Sequence, residues 1–283
     1  MGFTIKDSAA DFSQHNVGSS SKAGQYIKTG GITNAVYKAA ITSLYNGLLS
    51  DEILSKISVL NLMGSGIALA DSLNLINPQN TDGAFRMQFV NDTPGAHTTG
   101  GFLPDPTALR YGRTTMTLAA GGFSTLNDIG LHAYNTTPAL SAPGGATRHM
   151  AAVNTAAADS NLTIFVRRVF NGGTGGAIDA FTGAATVSAF PYDSQKTGLL
   201  SAVRNGSDFK LYDKGVQIAT QTKTISPIIR GDERLLLGTI DPATSGAFFE
   251  GKLLAFCITK GFNAADTLKL SSRLDMFRSQ IGA

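Results

Sequence analysis

The last third of the chain carries the pattern that restricts its fold most. Short apolar runs with a period of two are separated by turns that favour positive φ. Leu199 to Val203 leads into Asn205-Gly206, after which Phe209 and Leu211 alternate with Lys210 and Tyr212. Asp213-Lys214-Gly215 turns the chain again, and Val216 and Ile218 are expected to return on the same face. Such turns match the twist of two antiparallel strands, because their residues tolerate positive φ. Leu235-Leu236-Leu237-Gly238 and Phe248 to Ile258 add two further strands.

The same period is expected upstream, from about Leu73. Phe85, Met87 and Phe89 alternate with Arg86, Gln88 and Val90, which suits a strand with one face on a core. Met116-Leu118, Leu131-Ala133 and Leu162-Ile164-Phe165-Val166 continue in short extended runs, broken by clusters such as Ala142-Pro143-Gly144-Gly145. The 32 glycines fall mostly in such clusters, as many tight turns require. No internal repeat is present. Many short strands at regular spacing predict a mainly β, antiparallel sandwich or jelly roll rather than a parallel sheet.

Helical spacing is confined to the two ends. Thr33 precedes Val36, Ala40, Leu44, Tyr45 and Leu48, which recur at helical intervals. Ser50 followed by Asp51 and Glu52 has the form of an N-cap with carboxylates in the first turn, and Ile53, Ile57 and Leu60 would form that helix's buried stripe. Asn263, with Asp266 three residues on, predicts a terminal helix carrying Leu270, Leu274, Phe277 and Ile281. Residues 1–31 are polar and Ser/Gly-rich and read as an extended arm of the kind that lies on a neighbour in an assembly. The expected organisation is an arm at 1–31, a helical segment at 32–62 and a sandwich at 63–283.

Composition narrows the function. At 283 residues the chain can bury a substantial core. Only 15% of residues are charged, which favours a subunit of an assembly over a free enzyme. The net charge of +3 without a Lys/Arg block points to neither nucleic acid nor a membrane surface. A single cysteine, Cys257, excludes an intrachain disulfide, and its apolar surroundings predict a buried small hydrophobe. The first residues lack the order of a secretion signal, so synthesis in the cytoplasm is expected.

Arg204-Asn205-Gly206-Ser207, Leu211-Tyr212-Asp213-Lys214-Gly215-Val216, Leu235 to Gly238 and Phe249-Glu250-Gly251-Lys252-Leu253 to Phe256 together resemble the closing strands of concanavalin A-like, laminin-G-type jelly rolls. Lys260-Gly261-Phe262-Asn263-Ala264-Ala265-Asp266 resembles the loop into their terminal helix. Ile32-Thr33-Asn34, Ala39-Ala40-Ile41 with Leu44, Asn74-Leu75 with Asn77-Pro78, Asp82 to Arg86 with Phe89, and Thr93 to Gly100 resemble a group of bacteriophage and prophage particle proteins. That group places a short helical segment before the same sandwich. This chain departs from it in having no Trp, and residues 136–195 match it only loosely. The resemblance implies a non-enzymatic structural or surface protein of a phage particle: a capsid decoration or fibre, or a tail component. It would be located in the virion, with other virion proteins and copies of itself as partners. The alternative is a lectin-like carbohydrate-binding module that attaches to host surface glycans.

No residues are assigned to catalysis, to a cofactor or to a metal. Leu60 to Ala68 contains Gly64-Ser65-Gly66, but it lacks the third glycine of a dinucleotide loop and is expected to follow a helix, so it reads as a turn. Asn171-Gly172-Gly173-Thr174-Gly175-Gly176 has no Gly-Lys-Ser/Thr ending and reads as a sandwich loop. His15, His97, His132 and His149 are far apart and form no zinc-binding spacing. No Gly-x-Ser-x-Gly elbow occurs. Glycoside hydrolysis needs two carboxylates across the scissile bond. Asp232 and Glu233 are adjacent and would point to opposite faces of a strand, and Glu250 stands alone. Asp128, Asp159, Asp241 and Asn263 are candidates for a calcium-assisted sugar site, against the plainer reading that they make turns. Tyr111, Tyr134 and Tyr192 are the candidate exposed aromatics for a sugar platform.

Overall fold

A computed structural model of the chain describes residues 21–137, 147–154, 164–169, 176–180, 187–192, 197–224, 234–239 and 248–283. In chain order the first elements are α1 (Lys22–Thr29), α2 (Ala35–Ser50), a 3-10 turn (Leu54–Lys56), β1 (Ile57–Leu62) and α3 (Ala68–Ser72). Then come β2 (Met87–Val90), β3 (His97–Thr98), β4 (Gly101–Phe102), β5 (Tyr111–Thr114), β6 (Asp128–Asn135), β7 (Thr147–Asn154) and β8 (Ile164–Val169). The chain continues through β9 (Gly176–Ala180), β10 (Val187–Tyr192), β11 (Gly198–Asn205), β12 (Asp208–Asp213) and β13 (Val216–Thr222). It ends with β14 (Arg234–Leu237), β15 (Leu253–Thr259) and α4 (Ala264–Ile281).

The strands form an antiparallel β-sandwich. One eight-stranded sheet runs β13-β12-β11-β6-β15-β4-β3, with β1 also paired to β15. The facing seven-stranded sheet runs β10-β9-β8-β7-β14-β5-β2. Leu253, Phe256 and Ile258 of β15 join Leu131 and Ala133 of β6, Leu200 and Ala202 of β11, and Leu235 and Leu237 of β14 in the core between the sheets. The opposite face of the larger sheet is also covered. Leu254, Ala255 and Cys257 of β15, Leu199 and Val203 of β11 and Tyr134 of β6 pack against α1, α2 and α4. A strand buried on both faces reads as an unbroken apolar run rather than an alternation, which is how β15 looks in the sequence.

Both expected hairpins form. Asn205 pairs with Asp208 around Gly206, which takes φ +61°. Asp213 pairs with Val216 around Lys214 and Gly215, at φ +51° and +80°. Val216 and Ile218 do not return to the core face: they are 62% and 37% exposed. A bulge gives β13 one extra residue before its pairing with Leu211 resumes at Ala219, so Ala219 packs against the core instead. Met116 and Leu118 are also not in a strand. They lie with Phe123 and Leu126 in the loop before β6, all four buried in the inter-sheet core.

The N-terminal part differs most from expectation. The described end of the proposed arm is a helix, α1, capped by Ser21, whose hydroxyl accepts the Gly24 N–H at 3.0 Å. Its Tyr26 is fully buried and donates to the carbonyls of Ala70 (2.8 Å) and Leu62 (3.2 Å). Residues 1–20 lie outside the described residues. α2 starts on Asn34, whose side chain accepts the Tyr37 N–H at 3.1 Å, and it buries Tyr37, Ala40, Ile41, Leu44 and Leu48. Val36 is exposed. Ser50 ends this helix instead of starting a second one, and Glu52 takes φ +61°. The second helix does not form. Ile57 to Leu62 is a strand against β15, with Val59 in one core and Leu60 and Leu62 in the other. The terminal helix has the predicted capping box of Asn263 and Asp266, at 3.0 and 3.1 Å.

Candidate functional site

Most residues weighed in the sequence are fixed in structural roles. Asp128 accepts the Gly261 N–H at 2.9 Å and Asn263 caps α4, so both serve turns. Tyr134 is buried and donates to Asp275 on α4 at 2.5 Å, and Tyr111 meets Phe248 edge-on at 6.3 Å. Cys257 is buried as expected, and burial pushes its thiol well above the ordinary range. Asp159, Asp232, Glu233, Asp241, His15 and the loop 171–175 lie outside the described residues, as do the side chains of Tyr192 and His149.

Two histidines are buried in different company. His132, in the middle of the larger sheet, faces hydroxyls on both sides: Nδ1 meets Ser201 Oγ and Nε2 meets Thr259 Oγ1, each at 2.8 Å. Burial alone lowers its pKa to about 3, so it is a neutral ring. The ring's other nitrogen meets the Thr259 hydroxyl rather than a carboxylate, and Ser201, His132 and Thr259 have no solvent exposure, so the geometry does not suit a nucleophile pair.

His97, at the rim on β3, is held between two carboxylates. Its Nδ1 meets Asp71 Oδ2 of α3 at 2.8 Å, and its Nε2 meets Asp92 Oδ1 of the β2–β3 loop at 3.1 Å. Asp71 is fully buried and also accepts from the Ser65 N–H (3.0 Å) and hydroxyl (2.5 Å). Burial acts to lower the His97 pKa, but the hydrogen bonds and charges of Asp71 and Asp92 outweigh it and the net shift is upward. Burial raises the Asp71 carboxyl and outweighs the His97 and Ser65 bonds that favour its ionised form, so its net shift is also upward. The rings of Phe89 and Phe102 close the sides of His97, at centroid distances of 4.6 and 5.4 Å.

His97 and Asp92 of this cluster line a cleft of about 240 Å³ together with Gly66, Ala68, Thr93 and Pro94. The Gly64-Ser65-Gly66 turn follows strand β1, not a helix as expected. It still offers no phosphate cradle, because Asp71 already takes the Ser65 donors. A Cβ on Gly64 would lie 2.7 Å from Leu254 and 2.9 Å from Ile281. Close packing against β15 and α4 thus accounts for that glycine. Among the described residues, no three His, Cys, Asp or Glu side chains are grouped to hold a metal ion, and no helix is long and apolar enough to cross a membrane. Nothing local in the sequence marks the cluster, since Asp71 and His97 are brought together by the packing of α3 beside the β2–β3 loop.

No family model matches the chain, and no curated protein matches it. Among solved structures it is similar to Trypanosoma rangeli sialidase in complex with 2,3-difluoro-KDN, with a TM-score of 0.56 at 9% identity over 85% of this chain. The chain spans 39% of that sialidase's length. The same sialidase in complex with sialic acid gives 0.54 at 10% identity, over 79% of this chain and 34% of the other. Domain 4 of AbnA, a GH43 extracellular arabinanase from Geobacillus stearothermophilus, gives 0.46 at 12% identity over 76% of this chain and 98% of that domain. At these identities the likeness to the sialidase is one of fold, and the fold is an antiparallel β-sandwich with a terminal helix laid on one sheet.

Proposed function

We propose that this chain is a non-enzymatic contact module whose partner is a glycan of a host surface. The observation that carries the reading is the sandwich itself, which matches over most of its length part of an enzyme solved with sialic acid. The polar clusters support the non-enzymatic part. Around the cleft the two carboxylates are separated by His97, and Asp71 has no solvent exposure from which to reach a substrate. Retaining glycosidases need two carboxyl groups about 5–5.5 Å apart across the bond they cleave, both reaching it. The test is a glycan array that includes sialyllactose, probed with and without calcium. Reproducible binding to a subset of glycans is expected, together with no release of reducing sugar or sialic acid. Uniformly flat signals would remove the reading.

A second reading, a structural protein of a phage particle, is favoured by a separate observation. Val36 and Leu49 of α2 and Leu268 and Met276 of α4 are each about half exposed on the helical layer. With only 15% charged residues in the chain, that layer suits protein contacts. The two readings are compatible, since a particle protein can carry a glycan site. Mass spectrometry of purified particles tests the second, which fails if the protein is absent from them and purifies as a monomer.

A further inference from the structure

We propose that Asp71, His97 and Asp92 form a proton-operated latch, which holds the β2–β3 loop closed over the cleft while His97 is charged and releases it when the proton leaves.

The argument begins with donors and acceptors. An ionised carboxylate only accepts, and a neutral imidazole carries one N–H. His97 places a carboxylate oxygen against each ring nitrogen, at 2.8 and 3.1 Å, so both nitrogens must donate and the ring is an imidazolium. With both carboxylates ionised, no neutral tautomer satisfies both contacts. Among the described residues, the surroundings supply no competing charge. Phe89 of β2 and Phe102 of β4 flank the ring. On the far side of Asp71 lie Tyr26 of α1 and Tyr37 of α2, both buried, with burial the main cause raising their phenols well above 10.0 and keeping them neutral. Among the described residues, no Lys or Arg pairs with Asp71 or Asp92.

The two carboxylates are not equivalent when the ring loses a proton. Asp71 has a side chain with 0% exposure and cannot find water, whereas that of Asp92 is 29% exposed. A buried charge left without its partner is costly, so the remaining N–H stays on Nδ1 toward Asp71. The Nε2 lone pair then faces Asp92 Oδ1, and the contact becomes repulsive. Asp92 turns to solvent. It carries the loop wall with it, because the same Oδ1 accepts the Thr93 N–H at 2.8 Å and the Thr93 carbonyl accepts the Ala96 N–H at 2.9 Å. The loop is anchored at its start by Asn91, at φ +51°, whose side chain donates to the carbonyls of Ala108 and Leu109 at 3.0 and 3.3 Å. Opening therefore swings Asp92, Thr93 and Pro94 away from Gly66 and Ala68. The loop stays latched below the raised pKa of His97, and the cleft widens as pH rises through it.

The sign follows from linkage. His97 binds its proton more tightly in the closed loop, so between its open-loop and closed-loop pKa values the open-to-closed ratio rises about tenfold per pH unit. Nitrogen-15 NMR of the intact protein across pH 5 to 10 reads the ring directly. An imidazolium at low pH that becomes the Nδ1–H tautomer at high pH is expected, while an Nε2–H tautomer would overturn the latch. Hydrogen exchange of residues 92–96 in Asp92→Asn is the second measurement. An Asn amide can accept from the charged ring or donate to the neutral Nε2, so this variant should hold the loop at every pH. Relative to it, the wild-type loop should lose about tenfold in protection per pH unit until His97 has titrated. Equal protection of wild type and variant throughout would overturn the proposal. So would titration of His97 without any change in residues 92–96.

Discussion

His132 and His97 are the same residue in two kinds of burial, and the contrast shows that burial alone does not fix a histidine's charge. Between the hydroxyls of Ser201 and Thr259 the ring pays no charge and stays neutral down to about pH 3. Between the carboxylates of Asp71 and Asp92 the ring keeps its proton above the ordinary range. Hydroxyls can donate or accept and so fit a neutral ring, whereas two carboxylates can only accept. The neighbours' hydrogen-bonding character decides, and depth sets how much is at stake.

The contrast can be broken from either side. The largest effect is expected for His97→Ala, which leaves Asp71 buried without its cation. Urea unfolding at pH 6 should show a loss of about 3–5 kcal/mol, the range for removing one partner of a buried pair. A loss equally large at pH 10 would show that the charge was not involved. His132→Leu should cost about 2–3 kcal/mol by the same assay, because it strands the hydroxyls of Ser201 and Thr259. That loss should not change between pH 8 and pH 10, where His132 is neutral folded or unfolded.

Gly130→Ala tests how tightly His132 is framed. A Cβ there would run into Thr259 Oγ1 and lie 2.6 Å from His132 Nε2, so about 1–2 kcal/mol of overpacking is expected in a thermal melt. Arg273→Ala is the smallest. It removes a two-armed pair with Asp51, at 2.8 and 2.9 Å, on a partly exposed rim of α2 and α4, and should cost about 0.5–1 kcal/mol at low salt.

The two histidines also predict the shape of the stability profile. His132 has a folded pKa below its unfolded value of 6.5, so the unfolded chain takes up the proton first and stability falls as pH drops from about 6.5 toward 3. His97 has a folded pKa above its unfolded value, so its contribution is complete below 6.5 and disappears as pH rises through the folded value. Denaturant midpoints measured across pH should give a maximum between these limits. His132→Leu should flatten the acid side and His97→Ala the alkaline side.

Much of the sandwich was legible because its signals are local. The hairpins at Gly206 and Gly215, the double-faced run of β15 and the capping box of α4 each depend on residues a few positions apart. β1 differs from the helix its spacing predicts for a physical reason. It is buried on both faces, so it shows no alternation, and Ile53, Ile57 and Leu60 happen to share a helical interval. α1 hides because it buries only Ala23 and Tyr26 in a polar stretch. The His97 cluster was not legible at all. Asp71, Asp92 and His97 come from α3, a loop and β3, and only the packing of those elements makes them neighbours.

The seat of β15 has a further consequence, for the order in which the protein is made. It lies at the centre of the larger sheet, flanked by β6 on one side and by β1 and β4 on the other, yet among the strands it is the last to be synthesised. Until it leaves the ribosome, β1 lacks its sheet partner and α2 lacks α4, the helix that follows β15. The other strands of this sandwich must therefore wait, unsealed, for one late insertion. Contacts of such long sequence separation fold slowly, and the waiting strands offer open edges to other chains meanwhile.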